Sequence, residues 1–181
     1  DAQQKVNTVV GTGQANQSPT PSLPGTQSSL SIPAGIGFDS AGNLLVAESG
    51  RGSVRMLAAT PATGLVDKAN LVSVRASSFT FPVGIAVDAA DAVMVGDTRA
   101  NKIFKVAKGA STVATFAGTG NLGQTGDGAA ATAATMRYPA GMVKDKLGNL
   151  LFSDTQNHAI RKINNSGVIS TVVGKLNTGG F

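Results

Sequence analysis

Ten carboxylates, one histidine, one tyrosine and no cysteine make up the side chains on which acid–base, nucleophilic or metal chemistry could rest. Without cysteine there is neither a disulfide framework nor a thiolate metal site. His158, the single histidine, does not supply the histidine cluster of a catalytic zinc site, and a Ser/His/Asp arrangement has no other base to draw on. It reads instead as a turn residue that hydrogen-bonds locally. Two acids free of other duties are needed for paired-carboxylate catalysis, so the placement of the acids decides the matter. Asp39, Glu48, Asp88, Asp97, Asp145 and Asp154 fall on a repeat, which leaves Asp1, Asp67, Asp91 and Asp127. Of these Asp127 draws attention, set in Gly126-Asp127-Gly128, although that tripeptide also reads as a plain turn. The glycines from Gly118 to Gly128 are not a phosphate cradle, because no Lys-Ser/Thr and no helix follow them. The expectation is an assembly of residues with no catalytic group, no metal site and no cofactor.

The repeat to which the six acids belong is regular. Pro33-x-Gly35, Pro82-x-Gly84 and Pro139-x-Gly141 each open a copy. Asp39, Asp88 and Asp145 follow six residues after the proline, and Glu48, Asp97 and Asp154 nine residues later. Acids that recur once per copy are expected to be structural, accepting backbone N–H bonds in the turns after the first and second strands. Within each copy the first strand alternates, as in Ile85-Ala86-Val87. The second is apolar throughout (Leu44 to Ala47, Val93 to Gly96, Leu150 to Ser153), which suits a strand covered on both faces. Gly42-Asn43 and Gly148-Asn149 are hairpin signals between the first two strands. A third strand mixes apolar with basic residues, as in Ile160-Arg161-Lys162-Ile163, and a fourth closes the copy at Val168 to Val173. Copies of four short strands, repeating every 40–50 residues or so, predict an all-β fold of β-propeller type.

The strings Gly148-Asn149-Leu150 and Ser153-Asp-Thr-Gln-Asn-His-Ala-Ile-Arg-Lys-Ile163, together with the glycine-rich connection Gly118 to Gly128, resemble the NHL-repeat propellers, bacterial secreted members in particular. The third copy carries the pattern most fully. The second keeps Gly96-Asp-Thr-Arg-Ala-Asn-Lys-Ile103, and the first only Glu48-Ser-Gly-Arg-Gly-Ser-Val-Arg55. The resemblance implies four-stranded antiparallel blades. It leaves function open, since such propellers serve as binding modules, enzymes and structural pieces. The enzymatic, lyase-like members imply several histidines around a metal, which His158 alone does not provide.

The chain divides into a leading outer strand at 1–13, blade one with a Pro/Ser-rich lead-in loop at 14–76, blade two at 77–120, and blade three with its glycine-rich lead-in at 121–181. Val6-Asn-Thr-Val-Val-Gly-Thr-Gly13 matches Val113-Ala-Thr-Phe-Ala-Gly-Thr-Gly120, the end of blade two. Val6, Thr8, Val9 and Val10 are therefore expected to form a latch strand for a blade begun elsewhere. Residues 129–136 are expected to hold one helical turn. Three blades and a strand fall short of the four to eight that close a propeller. Either copies assemble into a ring or filament, or further blades lie in a longer chain. Loss of assembly on deleting residues 1–13 would mark the former.

Charged residues are 14% of the chain against a usual figure of about 25%. Glycine, serine, threonine and alanine fill much of the rest, a composition that points to export and an extracellular or cell-surface location. No apolar run is long enough to insert in a membrane. The net charge of +5 raises nucleic acid as a partner. Scarce aromatics, with seven Phe, one Tyr and no Trp, argue against it. The third-strand residues Arg55, Lys105 and Arg161 are expected on a solvated rim or at an interface. Lys144 sits where the first strands of blades one and two carry Phe38 and Val87, so it is expected to face the central channel or another subunit. The functional expectation is a non-enzymatic structural or interaction module that self-associates through blades and strands, its partners being copies of itself, neighbouring blades or other proteins. The alternatives are a ligand- or protein-binding module within a longer chain and, behind it, a lyase- or lactonase-like enzyme.

Overall fold

The computed structural model describes residues 6–14, 23–67, 69 and 72–175. Among the described residues, twelve strands form three four-stranded antiparallel sheets, each made of strands consecutive in sequence. Blade one is β1 (Pro33–Phe38), β2 (Leu44–Glu48), β3 (Ser53–Leu57) and β4 (Val72–Ser77). Blade two is β5 (Pro82–Val87), β6 (Val93–Asp97), β7 (Lys102–Val106) and β8 (Ala114–Ala117). Blade three is β9 (Pro139–Lys144), β10 (Leu150–Asp154), β11 (Ala159–Ile163) and β12 (Ile169–Val173). Each proline starts an inner strand, where its missing N–H is not needed by the ladder. The residues between the third and fourth strands differ most among the blades, and the fourth strand of blade one, β4, runs to Ser77.

The inner strands β1, β5 and β9 lie side by side, so the blades are stacked face on face about them. Leu45, Ala47, Val54 and Ala76 of blade one interlock with Ile85, Val93 and Val95 of blade two. Ala86, Met94 and Ile103 on the other side of blade two meet Leu150, Phe152 and Ile163 of blade three. This stacking explains the apolar second strands. β6 is buried along its whole length between two blades, and β2 between blade two and a cover of Val9, Val10 and Leu30, whereas β10 alternates because one side of blade three is uncovered. Short 3-10 turns at Gly25–Gln27 and Ala131–Ala133 occupy equivalent places in the two long lead-in loops, the second of them inside 129–136.

The leading segment belongs to none of the sheets. Among the described residues 6–14 no strand forms, and the expected latch is an extra segment without a ladder. A strand needs a neighbour to pair with, and none of the twelve strands stands beside it. Val9 and Val10 nevertheless pack on Leu44, Val46 and Leu57, while Thr8 and Val6 are exposed, Val6 almost fully.

Candidate interaction surface

The first acid of each blade caps its own hairpin. Asp39 Oδ1 accepts the N–H groups of Ala41 and Asn43, Asp88 Oδ1 those of Ala90 and Ala92, and Asp145 Oδ1 those of Leu147 and Asn149. Each fixes a turn whose backbone donors have no ladder partner. Asp145 lies below the ordinary carboxylate range, chiefly through its bond from the Asn149 side chain.

The second acids are fully buried and reach further back than the following turn. Glu48 Oε1 accepts the Ser31 N–H, Asp97 those of Thr80 and Phe81, and Asp154 that of Arg137. All these donors precede the first strand of the same blade. Each acid thus ties the end of the second strand to the run-in to the first. Each also accepts a bond from the turn beyond it: Asp97 the Ala100 N–H at 3.2 Å, Asp154 the Asn157 side-chain amide at 2.8 Å and Glu48 the Arg51 guanidinium at 2.7 Å.

Arg55 and Arg161 correct the expectation of a solvated rim. They are 1% and 0% exposed, the largest side chains in the interior. The third strand is sandwiched between layers, so a guanidinium there points inward, at the second acid of its own blade. Arg161 Nη1 stands 3.4 Å from Asp154 Oδ2 and donates to the Thr135 carbonyl at 2.9 Å. Its Nη2 donates to Asp127 Oδ1 and to the Thr125 carbonyl, both at 2.9 Å. Asp127 in turn accepts the Thr171 N–H at 2.9 Å, so the glycine-rich loop is clipped to β11 and β12 through one carboxylate. Burial works to raise Asp127, but the bonds from Thr171 and Arg161 outweigh it and hold its pKa below the ordinary value. Burial raises Asp154 above the ordinary carboxylate range, against the pull of the Arg137 N–H, Asn157 and Arg161. Arg55 Nη1 lies 3.6 Å from Glu48 Oε2, beyond hydrogen-bond range, and burial lowers its pKa.

The other candidates are local. Lys105 pairs with Asp88 at 3.3 Å and is half exposed. Lys144 is half-buried, and its ammonium donates to the Gly148 carbonyl of its own hairpin. His158 is exposed and adopts a left-handed backbone with φ of 53°, donating its N–H to the Thr155 carbonyl at 3.2 Å. Asn101 and Gly52 hold the same conformation at the same place in blades two and one. Tyr138, also left-handed, donates its N–H to Asn101 Oδ1 at 3.2 Å. Among the described residues no three His, Cys, Asp or Glu side chains gather as a metal site.

Two kinds of junction residue escaped the sequence reading. The hydroxyl after each second acid crosses to the next blade: Ser49 Oγ donates to the Pro82 carbonyl at 2.6 Å, and Thr98 Oγ1 to the Pro139 carbonyl at 3.0 Å. The glycine of each Pro-x-Gly admits the next blade's backbone. A Cβ on Gly35 or Gly84 would stand 2.2 Å or 1.9 Å from the carbonyl oxygen of Val83 or Ala140. The signal was a hydroxyl in every copy immediately after the acid (Ser49, Thr98, Thr155), and a glycine with no turn to explain it. Further out, Asp91 of blade two accepts both the N–H and the hydroxyl of Ser40 in blade one, and also Lys108 at 2.8 Å. Those bonds, led by Lys108, hold Asp91 far below the usual carboxylate range.

Each outer face of the stack is open in part, that of blade one only along its inner strand, because Val9, Val10 and Leu30 cover Leu44, Val46 and Leu57. On blade one Ile36 and Phe38 are 63% and 56% exposed, and on blade three Val143 is 59% exposed. Gly141, Val143, Leu151, Ser153 and Ile160 line a shallow apolar hollow of about 290 Å³ on blade three. These residues stand where Gly84, Ala86, Met94, Gly96 and Ile103 stand on the face of blade two that is buried against blade three.

The fold is shared with larger proteins. Virginiamycin B lyase from Staphylococcus aureus, crystallised in a catalytically inactive form with quinupristin, superposes with a TM-score of 0.57 at 16% identity, over 80% of this chain and 43% of that one. A nidogen/laminin complex gives 0.57 at 16% identity, over 78% and 48%. A gluconolactonase from Xanthomonas campestris gives 0.60 at 13% identity, over 80% and 48%. The chain thus spans less than half the length of each, and at these identities the likeness is one of fold. No curated protein matches it in sequence. Residues 3–179 match the sequence model of the teneurin NHL domain, and the chain belongs to that family of NHL β-propeller domains.

Proposed function

We propose that the chain is a non-enzymatic structural or interaction module that self-associates through its two open blade faces and works outside the cell. The observation that carries this reading is the open face of blade three, whose glycine and apolar pattern repeats that of the face blade two buries. Apolar area of this kind, left on a sheet with unpaired edges, favours association. The acids support a non-enzymatic role, because every repeat carboxylate is engaged in capping or tying the blades. Low charge and a small-residue surface support export, and among the described residues no helix is long and apolar enough to cross a membrane. Light scattering after size exclusion tests the proposal: a dimer or larger species is expected, and a monomer throughout a concentration series overturns it.

A second reading is a protein- or ligand-binding module within a longer propeller, favoured by the chain's spanning under half of its structural relatives. The nidogen/laminin complex is a precedent for protein binding by a protein of this fold. In that case the open faces are covered by other blades, and a chain extended by those blades stays monomeric.

A further inference from the structure

The two junctions inside the chain share a set of contacts, and half of a third set stands ready on blade three. Thr155 is the successor of Ser49 and Thr98 in the hydroxyl series. It is exposed, and its Oγ1 has only Ser153 Oγ at 3.4 Å. Gly141 is the successor of Gly35 and Gly84. A Cβ there would meet nothing closer than Ser153 Oγ at 3.7 Å, so the space that a neighbour's carbonyl fills in the other junctions is open. The other half of the set is on blade one. Pro33 and Ala34 are exposed and correspond to Pro82 and Val83, and to Pro139 and Ala140, whose carbonyls enter the internal junctions. Ile36 corresponds to Ile85 and Met142, which pack into the inter-blade clusters.

We propose that blade three of one copy docks on blade one of a second copy in the register of the internal junctions. This rests on the self-association reading above. Thr155 donates to the Pro33 carbonyl, Gly141 receives the Ala34 carbonyl, and Ile36 and Phe38 cover Val143 and Leu151. Two copies joined twice in this way close a ring of six blades, within the four to eight that propellers use. The pairing is head to tail at each junction, and the ring closes with a twofold axis.

Such docking displaces the leading segment. Gly11 donates its N–H to the Gly25 carbonyl at 3.0 Å, as Gly118 at the end of blade two donates to the Ala131 carbonyl at 2.9 Å. The segment therefore stands in for the outer end of a preceding blade. Blade three brings its own equivalent. Gly174, just past β12, lies against the His158 carbonyl and Ala159 as Gly118 lies against the Asn101 carbonyl and Lys102. On docking, Gly174 of the incoming copy arrives where Gly11 of the receiving copy sits, and the two exclude each other. The leading segment is held by few contacts, with Val9 and Val10 half-buried and no ladder, so it is the one to yield. It acts as a placeholder that covers blade one in the free chain.

Three chains are compared by light scattering over a dilution series: the wild type, Gly141→Val, and a chain lacking residues 1–13. The wild type is expected to dimerise. Gly141→Val is expected to keep the circular dichroism of the wild type while its dissociation constant rises by at least about tenfold, the equivalent of 1.4 kcal/mol. Removing 1–13 is expected to lower that constant by a similar factor. Phe38→Glu, at a side chain exposed in the free chain, gives the same weakening from the opposite face and is the control should Gly141→Val fold poorly. A wild type that never associates overturns the self-association reading itself. A wild type that associates, with both face variants associating equally well, leaves that reading standing and overturns this register. Unchanged or weaker association without residues 1–13 overturns the placeholder.

Discussion

Arg161 of blade three and Arg55 of blade one occupy the same register position, opposite Phe152 and Val46 on the second strands. Both are buried, yet their surroundings differ. Arg161 has two carboxylates and two carbonyls, whereas none of the three guanidinium nitrogens of Arg55 makes a hydrogen bond, and only Glu48 attracts it from 3.6 Å. The difference comes from the lead-in loop. The glycine-rich loop brings Asp127 to the guanidinium, while residues 14–30 contain no acid at all. Blade two completes the comparison. It is entered through residues 78–81 only, and at this position it carries Phe104, which stacks edge-on with Phe79 at 5.8 Å. The two blades with long lead-in loops carry an arginine here and the blade with a short one an aromatic, yet only Arg161 is bonded to its loop. What a buried cation contributes depends on how many of its donors are met.

The sharpest way to break this comparison is to remove each cation. Arg161→Met leaves Asp154 buried without its cation and three loop acceptors without a donor. It is expected to cost about 3–5 kcal/mol, the usual loss when one partner of a buried pair is deleted. Arg55→Met leaves Glu48 with Arg51 at 2.7 Å, the Ser31 N–H and the Ser53 hydroxyl. It is expected to change stability by no more than about 1 kcal/mol, because methionine fills the volume and removes an unsatisfied charge. Urea unfolding of the two variants at constant m-value decides. Equal losses would mean that the loop contacts to Arg161 add nothing.

Smaller in effect is the pair of junction glycines. Gly84→Val drives a side chain into the Ala140 backbone, and a loss of about 1–3 kcal/mol is expected from the forced shift between blades two and three. Gly141→Val, with open space in front of it, is expected to leave the unfolding midpoint of the monomer unchanged. A common loss at both sites would mean that the close approach at Gly84 relaxes without cost.

The blade plan was legible because it repeats: offsets of six and nine residues, hairpin glycines, and second strands apolar on both faces. The first acids were legible for the same reason, since Asp39, Asp88 and Asp145 bond within four residues of themselves. The second acids bond to Ser31, Thr80 and Arg137, 17 residues upstream. Nothing in a linear spacing shows that those donors come back to the end of the second strand. Arg55 and Arg161 misled because a basic residue in an alternating strand suggests a wet face, whereas Arg161 lies on the face stacked against blade two and Arg55 on the face that Val9, Val10 and Leu30 cover. The clue lay in the pairing of each with an acid seven residues before it, and in Phe104 standing seven after Asp97. The leading segment showed its likeness to the end of blade two in sequence. Whether it would ladder depended on a neighbour outside the pattern.

Acid sensitivity separates the two carboxylates around Arg161. Asp127 is held below its ordinary pKa, so the stability it contributes is complete above the unfolded carboxylate value, near 4, and is lost as pH falls through the lowered folded value. Asp154 has the opposite sign. Its folded pKa is raised, so the folded state takes up its proton first and stability falls as pH rises from the unfolded value to the raised one. Asp127→Asn is accordingly expected to be less stable than the wild type at pH 7, with the gap narrowing as pH drops below about 4. Because the Asp127 side chain is 40% exposed, solvent weakens the effect. A gap that widened in acid would assign the clip to the protonated form.

The smallest change expected is at His158. Its left-handed backbone costs a residue with a Cβ about 1–2 kcal/mol, and glycine escapes that cost while losing about 0.5–1 kcal/mol of unfolded-chain entropy. His158→Gly, which copies the Gly52 of blade one, should therefore stabilise by between 0 and about 1.5 kcal/mol. Asn101 of blade two is the contrasting case at the same φ, because its amide is buried and bonds to the Gly120 carbonyl and the Tyr138 N–H. Asn101→Gly should lose both bonds and cost about 1–3 kcal/mol despite the same backbone relief. If thermal melts placed the two substitutions together, the imidazole of His158 would be making contacts of its own. A turn residue chosen for its backbone alone predicts that they separate.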